Sequence, residues 1–162
     1  MIPAGELLRQ VMRQYVSGVT IVCAANEQER RGITVNSFTS VSLNPALVTV
    51  TLANHTRTCA LVLETLFFTV TILEENQAEL SDRFAGKIHE MEDRFAGLEV
   101  ITLESGVPLI KIGLGHLDCH VIQQLALPES TLFIGEVIAA QAPIEALLPL
   151  VYHNRAYHRI AL

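Results

Sequence analysis

Apolar positions recur with a helical period near the start of the chain and with strand-like patterns through most of the remainder. Leu7, Leu8, Val11, Met12 and Tyr15 share one helical face, with Glu6, Arg9, Arg13 and Gln14 elsewhere, which predicts an amphipathic helix over Glu6–Val16. Ser17-Gly18 ends it, and the β-branched run Val19–Ala25 reads as a strand. Asn26–Arg31 is a polar turn, and Gly32 is expected to permit the backbone that starts the next strand. Ala46–Leu52 alternates, Leu47, Thr49 and Thr51 on one face and Val48, Val50 and Leu52 on the other. Short helices are predicted over Cys59–Glu64 and Asn76–Ala85, with a strand over Phe67–Leu73 between them. Strands follow over Glu99–Leu103, Leu114–Leu125 and Thr131–Ala140, then a loop or short helix over Pro143–Leu148. Val151–His153 and Ala156–Ile160 form a closing hairpin over Asn154-Arg155. Roughly eight strands, two or three helices and hairpin-length gaps predict a mainly β, antiparallel barrel with peripheral helices.

Composition narrows the function classes. At 162 residues the chain is expected to form one domain over its whole length. Half of the residues are hydrophobic and 17% are charged, too apolar for disorder and suggestive of apolar surface buried between subunits. The net charge of −6, with no basic run, argues against nucleic acid as a partner. No apolar run reaches the roughly 18 residues of a membrane helix, and no signal-peptide pattern is visible, so a cytoplasmic location is expected. Cys23, Cys59 and Cys119 lack CxxC spacing and read as buried reduced thiols. His116 and His120 are four apart but lie in a strand-like segment, so no metal site is expected there. Neither GxGxxG nor GxxxxGK[ST] occurs, which leaves a Rossmann or P-loop nucleotide site unsupported.

Candidate chemistry concentrates in Gly32–Pro45, where seven uncharged side chains can hydrogen-bond: Thr34, Asn36, Ser37, Thr39, Ser40, Ser42 and Asn44. Such a run suits a phosphate or the polar edge of a heterocycle, and is also compatible with a plain Ser/Thr-rich loop. Thr56-Arg57-Thr58 precedes a helical pattern. Capping hydroxyls, free N–H groups and a guanidinium make that helix start an anion site, or an ordinary cap beside a solvated arginine.

With Gly18–Val22 before it, the run Gly32-Ile33-Thr34-Val35-Asn36-Ser37-Phe38-Thr39-Ser40-Val41-Ser42-Leu43-Asn44-Pro45 resembles the core signature of the flavin reductase family, which has the FMN-binding split-barrel fold. Phe68–Gln77, Ser81–Ala85, Asp93–Gly97, Thr131–Val137 and Pro149–His153 with Tyr157 resemble later family segments, collinear over nearly the whole chain. The resemblance implies a homodimeric split barrel that uses NADH or NADPH to reduce FMN or FAD and often passes reduced flavin to a partner monooxygenase. It implies that Thr34, Val35, Asn36 and Ser37 line the isoalloxazine and ribityl chain, and that Ser40, Val41 and Ser42 continue that wall. Thr56, Arg57 and Thr58 would take the phosphate, and Phe84-Ala85 would close over the flavin. Hydride transfer needs positioned rings rather than a protein acid or base, so no catalytic side chain is expected.

The sequence departs from the family at the turn before the late strand. Pro128-Glu129-Ser130 stands where a Gly-Asp-His turn is common, so Ser130 takes the place of a histidine on the nicotinamide side. Tyr152 and His153 are further candidates for that pocket, His153 equally a histidine closing a barrel end. The substitution at Ser130 keeps a second reading open, a flavin carrier or store without efficient nicotinamide oxidation. A cofactor-free interaction dimer is a third reading, against which the many uncharged hydroxyls speak.

Overall fold

The computed structural model describes residues 2–88, 93–142 and 147–161. Among them the chain runs α1 (Ala4–Met12), β1 (Ser17–Gly18), β2 (Thr20–Ala25), β3 (Arg30–Val35), β4 (Thr39–Leu43), β5 (Ala46–Ala53), α2 (Arg57–Thr65), β6 (Phe67–Ile72) and α3 (Ala78–Phe84). It continues through β7 (Val100–Thr102), β8 (Pro108–Ile110), β9 (Gly115–Ala126), β10 (Ser130–Gln141), β11 (Val151–His153) and β12 (Ala156–His158). Residues 143–146, within the predicted loop or short helix, lie outside the described residues.

Seven strands form one antiparallel sheet in the order β3-β2-β6-β9-β10-β5-β4. Its two edge strands, β3 and β4, are consecutive in the chain, joined only by Asn36-Ser37-Phe38. A flat seven-stranded sheet would hold its edges about 29 Å apart. The path from Val35 to Thr39 can span at most about 14 Å. The sheet must therefore curl into a barrel, with its split between β3 and β4. Ser37 fastens the crossing, because its hydroxyl donates to Thr51 O at 2.7 Å and accepts from Thr51 N at 3.3 Å.

The barrel interior is filled by Val22, Val48, Val50, Leu52, Phe68, Val70 and Phe133, with Cys59, Leu61 and Val62 of α2 plugging one end. The faces read from the alternation of Ala46–Leu52 hold, since Val48, Val50 and Leu52 are buried and Leu47, Thr49 and Thr51 half-buried. A second cluster lies outside the barrel wall, where Ile21 and Cys23 of β2 meet Phe84, Phe95, Ile110 and Leu150. Strand β2 is thus covered on both faces, which is why its sequence is continuously apolar rather than alternating. Gln77 ties this outer layer down. Its buried amide accepts from Glu74 N at 2.8 Å and donates to Ile112 O at 2.9 Å.

Several expectations change. The first helix is Ala4–Met12 rather than Glu6–Val16, and none of its residues is buried. Its apolar stripe faces outward, with Leu8 61% and Val11 66% exposed. Twelve strands are present among the described residues, more than predicted: the strand expected to start at Gly32 is β3, β4 follows it within the same polar run, and the short strands β1 and β8 are further additions. An edge strand needs only one apolar face, so hydroxyls on the other do not prevent pairing. The segment Asp93–Gly97 contains a turn over 94–97. Gly32 has an ordinary φ and is required for a different reason: a Cβ there would lie 2.6 Å from the Phe84 ring. His116 Nε2 bonds Ile110 O at 2.8 Å and His120 packs on Phe67 with centroids 5.0 Å apart, so the two rings are separately engaged. Among the described residues no helix is long and apolar enough to cross a membrane.

Candidate active site

Edge strand β3 has one side free of a pairing partner; two recesses lie along it, and a third adjoins just past its end at Asn36. The first is a cleft of about 480 Å³ between the start of β3, the N-terminus of α2 and the C-terminus of α3. Arg30, Arg31, Arg57 and Arg94 surround it, Thr56, Thr58 and His55 supply polar edges, and Phe84 and Ala85 form an apolar wall. Thr56 is the N-cap of α2. Its hydroxyl accepts from Cys59 N at 3.3 Å, which leaves the first N–H groups of the helix, those of Arg57 and Thr58, without intrahelical acceptors. Two carboxylates temper the arginines. Glu29 pairs with Arg57 and with Arg31, and Asp93 pairs with Arg30. The Arg57 hydrogen bond holds the Glu29 carboxyl below the usual range, and Glu29 in turn raises Arg57. Arg94 instead donates to the carbonyls of Phe84 at 3.0 Å and Gly32 at 3.4 Å. Among the described residues four guanidinium groups surround the cleft against Glu29 and Asp93, with Glu64 also acting on Arg57, which leaves it cationic in a chain whose net charge is −6.

The second recess, about 190 Å³, shares Ala85 with the first and is walled by Val19, Val35, Tyr152 and Tyr157, with Thr34, Asn36 and Ser81 at its polar edge. A small network fixes that edge. Thr34 Oγ1 donates to Ser81 O at 2.6 Å, Ser81 Oγ and Tyr157 Oη share a hydrogen bond of 2.8 Å, and Tyr157 Oη donates to Asp82 at 2.7 Å. Lys87 closes the network on Asp82 at 2.7 Å and sits over the Tyr157 ring. Burial pushes the Asp82 carboxyl up, but hydrogen bonds from Lys87 and Tyr157 outweigh it and leave the group below the usual carboxylate range. The third recess, about 310 Å³, adjoins the second through Asn36 and Tyr152 and brings Arg9, Arg13 and Arg155 together. Among the described residues, Arg13 Nε is buried there without a hydrogen-bond partner.

The structure gathers most of the residues singled out in the sequence. Thr34, Val35, Asn36 and Tyr152 line the second recess, and Thr56, Arg57, Thr58 and Phe84 line the first, with Ala85 in both. Ser37 is instead turned to the backbone of β5. Ser40, Val41 and Ser42 lie on the outer edge strand β4, away from the three recesses, with Val41 53% exposed. Ser130 opens β10 opposite Ala53, also outside the recesses. Its turn is held by Asn54, whose N–H donates to Glu129 O at 3.0 Å and whose side chain donates to Leu127 O at 3.0 Å. His153 packs beside His158, with ring centroids 5.7 Å apart. Sequence reasoning missed Arg30, Arg31, Arg94, Lys87 and the trio of Arg9, Arg13 and Arg155. The Arg30-Arg31 pair directly before Gly32 was a usable signal. Nothing in the sequence joins Arg13 to Arg155, which only the folding of β11 and β12 against β1 brings near.

The family model for the flavin reductase like domain matches residues 12–161. The chain belongs to the flavin reductase family. It is 34% identical to the reductase component of a FADH(2)-dependent resorcinol hydroxylase from Rhizobium sp., over 94% of this chain and 86% of that protein. It is 34% identical to an NADH-dependent flavin reductase from Rhodococcus sp., over 98% and 93% of the two chains. Among solved structures, flavin reductase PheA2 in its native state superposes with a TM-score of 0.89 at 30% identity, covering 99% of this chain and 100% of that one. The NADH:FAD oxidoreductase SgcE6 of Streptomyces globisporus, in complex with NAD and FAD fragments, gives 0.88 at 31% identity, covering 98% and 93%. The fold is thus the antiparallel split barrel expected from the sequence, and the chain is an oxidoreductase acting on flavin.

Proposed function

We propose that this flavin reductase oxidises NADH or NADPH to reduce FMN or FAD, and that it supplies the reduced flavin to a separate monooxygenase. The observation that carries this reading is the succession of adjoining recesses, a cationic cleft and an apolar-walled recess along β3 and a second arginine-lined recess past its end. The donor sets fit the groups concerned. A flavin phosphate would meet Arg57, Arg31 and the free N–H groups of α2, while a flat apolar ring with polar edges would meet Val19, Val35, Tyr152, Thr34 and Asn36. The pyrophosphate of a nicotinamide nucleotide would meet Arg13 and Arg155. When bound, the two cofactors supply hydride transfer by themselves. The task of the chain is to hold both rings in register. The Thr34–Ser81–Tyr157–Asp82 network fixes one wall, and Val19 and Val35 keep water from it.

A second copy of the chain completes the assembly in this reading. The outward apolar stripe of α1, Leu8, Val11 and Met12, borders the third recess through Met12 and is the kind of surface that an antiparallel dimer covers. Purified protein mixed with NADH or NADPH, alone and with FMN, FAD or riboflavin, is followed at the nicotinamide absorbance. Flavin-dependent oxidation is expected, with an Arg13→Ala, Arg155→Ala double variant raising the KM for the nicotinamide and not for the flavin. Tight flavin binding without oxidation would overturn the reductase reading in favour of a flavin carrier.

A further inference from the structure

The strongest arginine of the proposed phosphate site is already occupied. Glu29 Oε1 bonds Arg57 through both Nε and Nη2, and Glu29 Oε2 accepts from Arg31 Nε at 2.8 Å. The Glu29 side chain is 21% exposed while that of Arg57 is 55% exposed, so the carboxylate is the more enclosed partner and the guanidinium the more solvated one. The Glu29 backbone is held in the turn between β2 and β3. Asn26 Oδ1 accepts from Gln28 N at 3.0 Å and Glu29 N at 2.9 Å, and Asn26 N donates back to Glu29 O at 3.0 Å. Asn26 Nδ2 in turn donates to Glu64 of α2 at 2.8 Å, which locks the turn against the helix whose N-terminus faces the cleft.

We propose that Glu29 is a built-in competitor of the flavin phosphate. It holds Nε and Nη2 of Arg57 on one carboxylate oxygen and Nε of Arg31 on the other when the site is free, and so weakens the hold of this reductase on phosphorylated flavins. A phosphate oxygen that takes the Nε/Nη2 edge of Arg57 must displace the carboxylate oxygen already seated there. Binding of FMN or FAD therefore breaks the Glu29 pairs before new ones form, and part of the charge-assisted gain is spent on that exchange. Arg30 and Arg94 do not relieve it, since Arg30 is paired with Asp93 and Arg94 is held on the carbonyls of Gly32 and Phe84. The device suits an enzyme whose flavin is a substrate that must leave. The inference rests on the proposed seat of the phosphate at Arg57.

The test titrates the whole protein with riboflavin, FMN and FAD by flavin fluorescence quenching, a readout independent of nicotinamide oxidation. Glu29→Gln removes the charge and keeps the size. The dissociation constants of FMN and FAD are expected to fall by about 2- to 5-fold, the worth of a partly exposed ion pair, with slower release. Riboflavin, which has no phosphate, is expected to bind as before. Glu29→Asp keeps the charge and is expected to retain the weaker affinity, which separates charge from packing. If Glu29→Gln weakens FMN binding, Glu29 positions Arg57 rather than competing for it, and the proposal falls. It also falls if riboflavin tightens equally or if nothing changes. Arg57→Ala serves as the control. If that variant leaves FMN affinity unchanged, the phosphate seat itself is misplaced. If it weakens FMN while Glu29→Gln does not tighten it, only the role of Glu29 is refuted.

Discussion

Replacing Gly32 by alanine tests how tightly α3 is closed over β3. A Cβ at position 32 would sit 2.6 and 2.7 Å from two atoms of the Phe84 ring and 3.2 Å from Cys23 Sγ. The ring has little room to yield. Phe84 is fully buried and packs edge-on against Phe95, with centroids 5.1 Å apart and planes at 80°. Overpacking of this kind costs about 1–3 kcal/mol. Alanine in a strand interior returns about 0.5–1 kcal/mol relative to glycine. The net expectation is a loss of about 1–2 kcal/mol. For a chain of this size that lowers Tm by about 2–8 °C, readable by thermal or urea unfolding. Phe84 also walls the cationic cleft, so flavin affinity is expected to fall together with stability. In a Phe84→Ala background the clashing atoms are gone, and Gly32→Ala should become neutral or mildly stabilising. An unchanged or raised Tm for the single variant, or strictly additive effects in the pair, would refute the close-approach explanation.

Three further outcomes follow from the same coordinates. The Asp82 carboxyl is held low in the folded state, so its contribution is present above its unfolded pKa near ~3.9 and is lost as pH falls through the lower folded value. Asp82→Asn should therefore flatten the acid limb of the stability profile. The Lys87 ammonium, raised by its hydrogen bond to Asp82, should lose its contribution only at strongly alkaline pH. Burial pushes the thiols of Cys23 and Cys119 up to about 12, so thiol reagents at mildly alkaline pH should modify the protein only as fast as it opens, and urea should expose both sites together. A Leu8→Asp, Val11→Asp double variant on α1 should leave the melting of the protomer near that of the parent, because neither side chain is buried. Sedimentation of that variant as a monomer beside a dimeric parent is the expected result, and a parent that is itself monomeric would remove α1 from any interface.

Much of the architecture was legible because the pattern of burial is written locally. The alternation of Ala46–Leu52, the continuous apolar run of Val19–Ala25 and the capping Thr56 each specify their element from neighbours in the chain. The N-terminal helix shows the limit of the same logic. Its amphipathic period correctly marks a helix, but period alone does not say what the apolar face meets, and among the described residues none of its side chains is buried. The polar run Gly32–Pro45 was readable as chemistry and ambiguous as structure, since hydroxyls serve a loop and the open face of an edge strand equally well.

What the sequence by itself determined is most of the strands and helices, the family to which the chain belongs and the one segment rich in uncharged hydrogen-bonding groups. Only the tertiary structure decided which of those groups reach the site. Curling the sheet turned Ser37 inward to the Thr51 backbone and left Ser40, Val41 and Ser42 across the split on β4, outside the recess linings, while Thr34, Val35 and Asn36 remained on the recess. It also assembled Arg30, Arg31, Arg57 and Arg94 from three separate stretches and placed Glu29 between two of them. The physical reason is the range of each signal. Periodicity and capping act over a few residues and are recorded in the chain order. The field in a cleft is a sum over charges brought together by closure of the barrel, and closure depends on strand pairings dozens of residues apart.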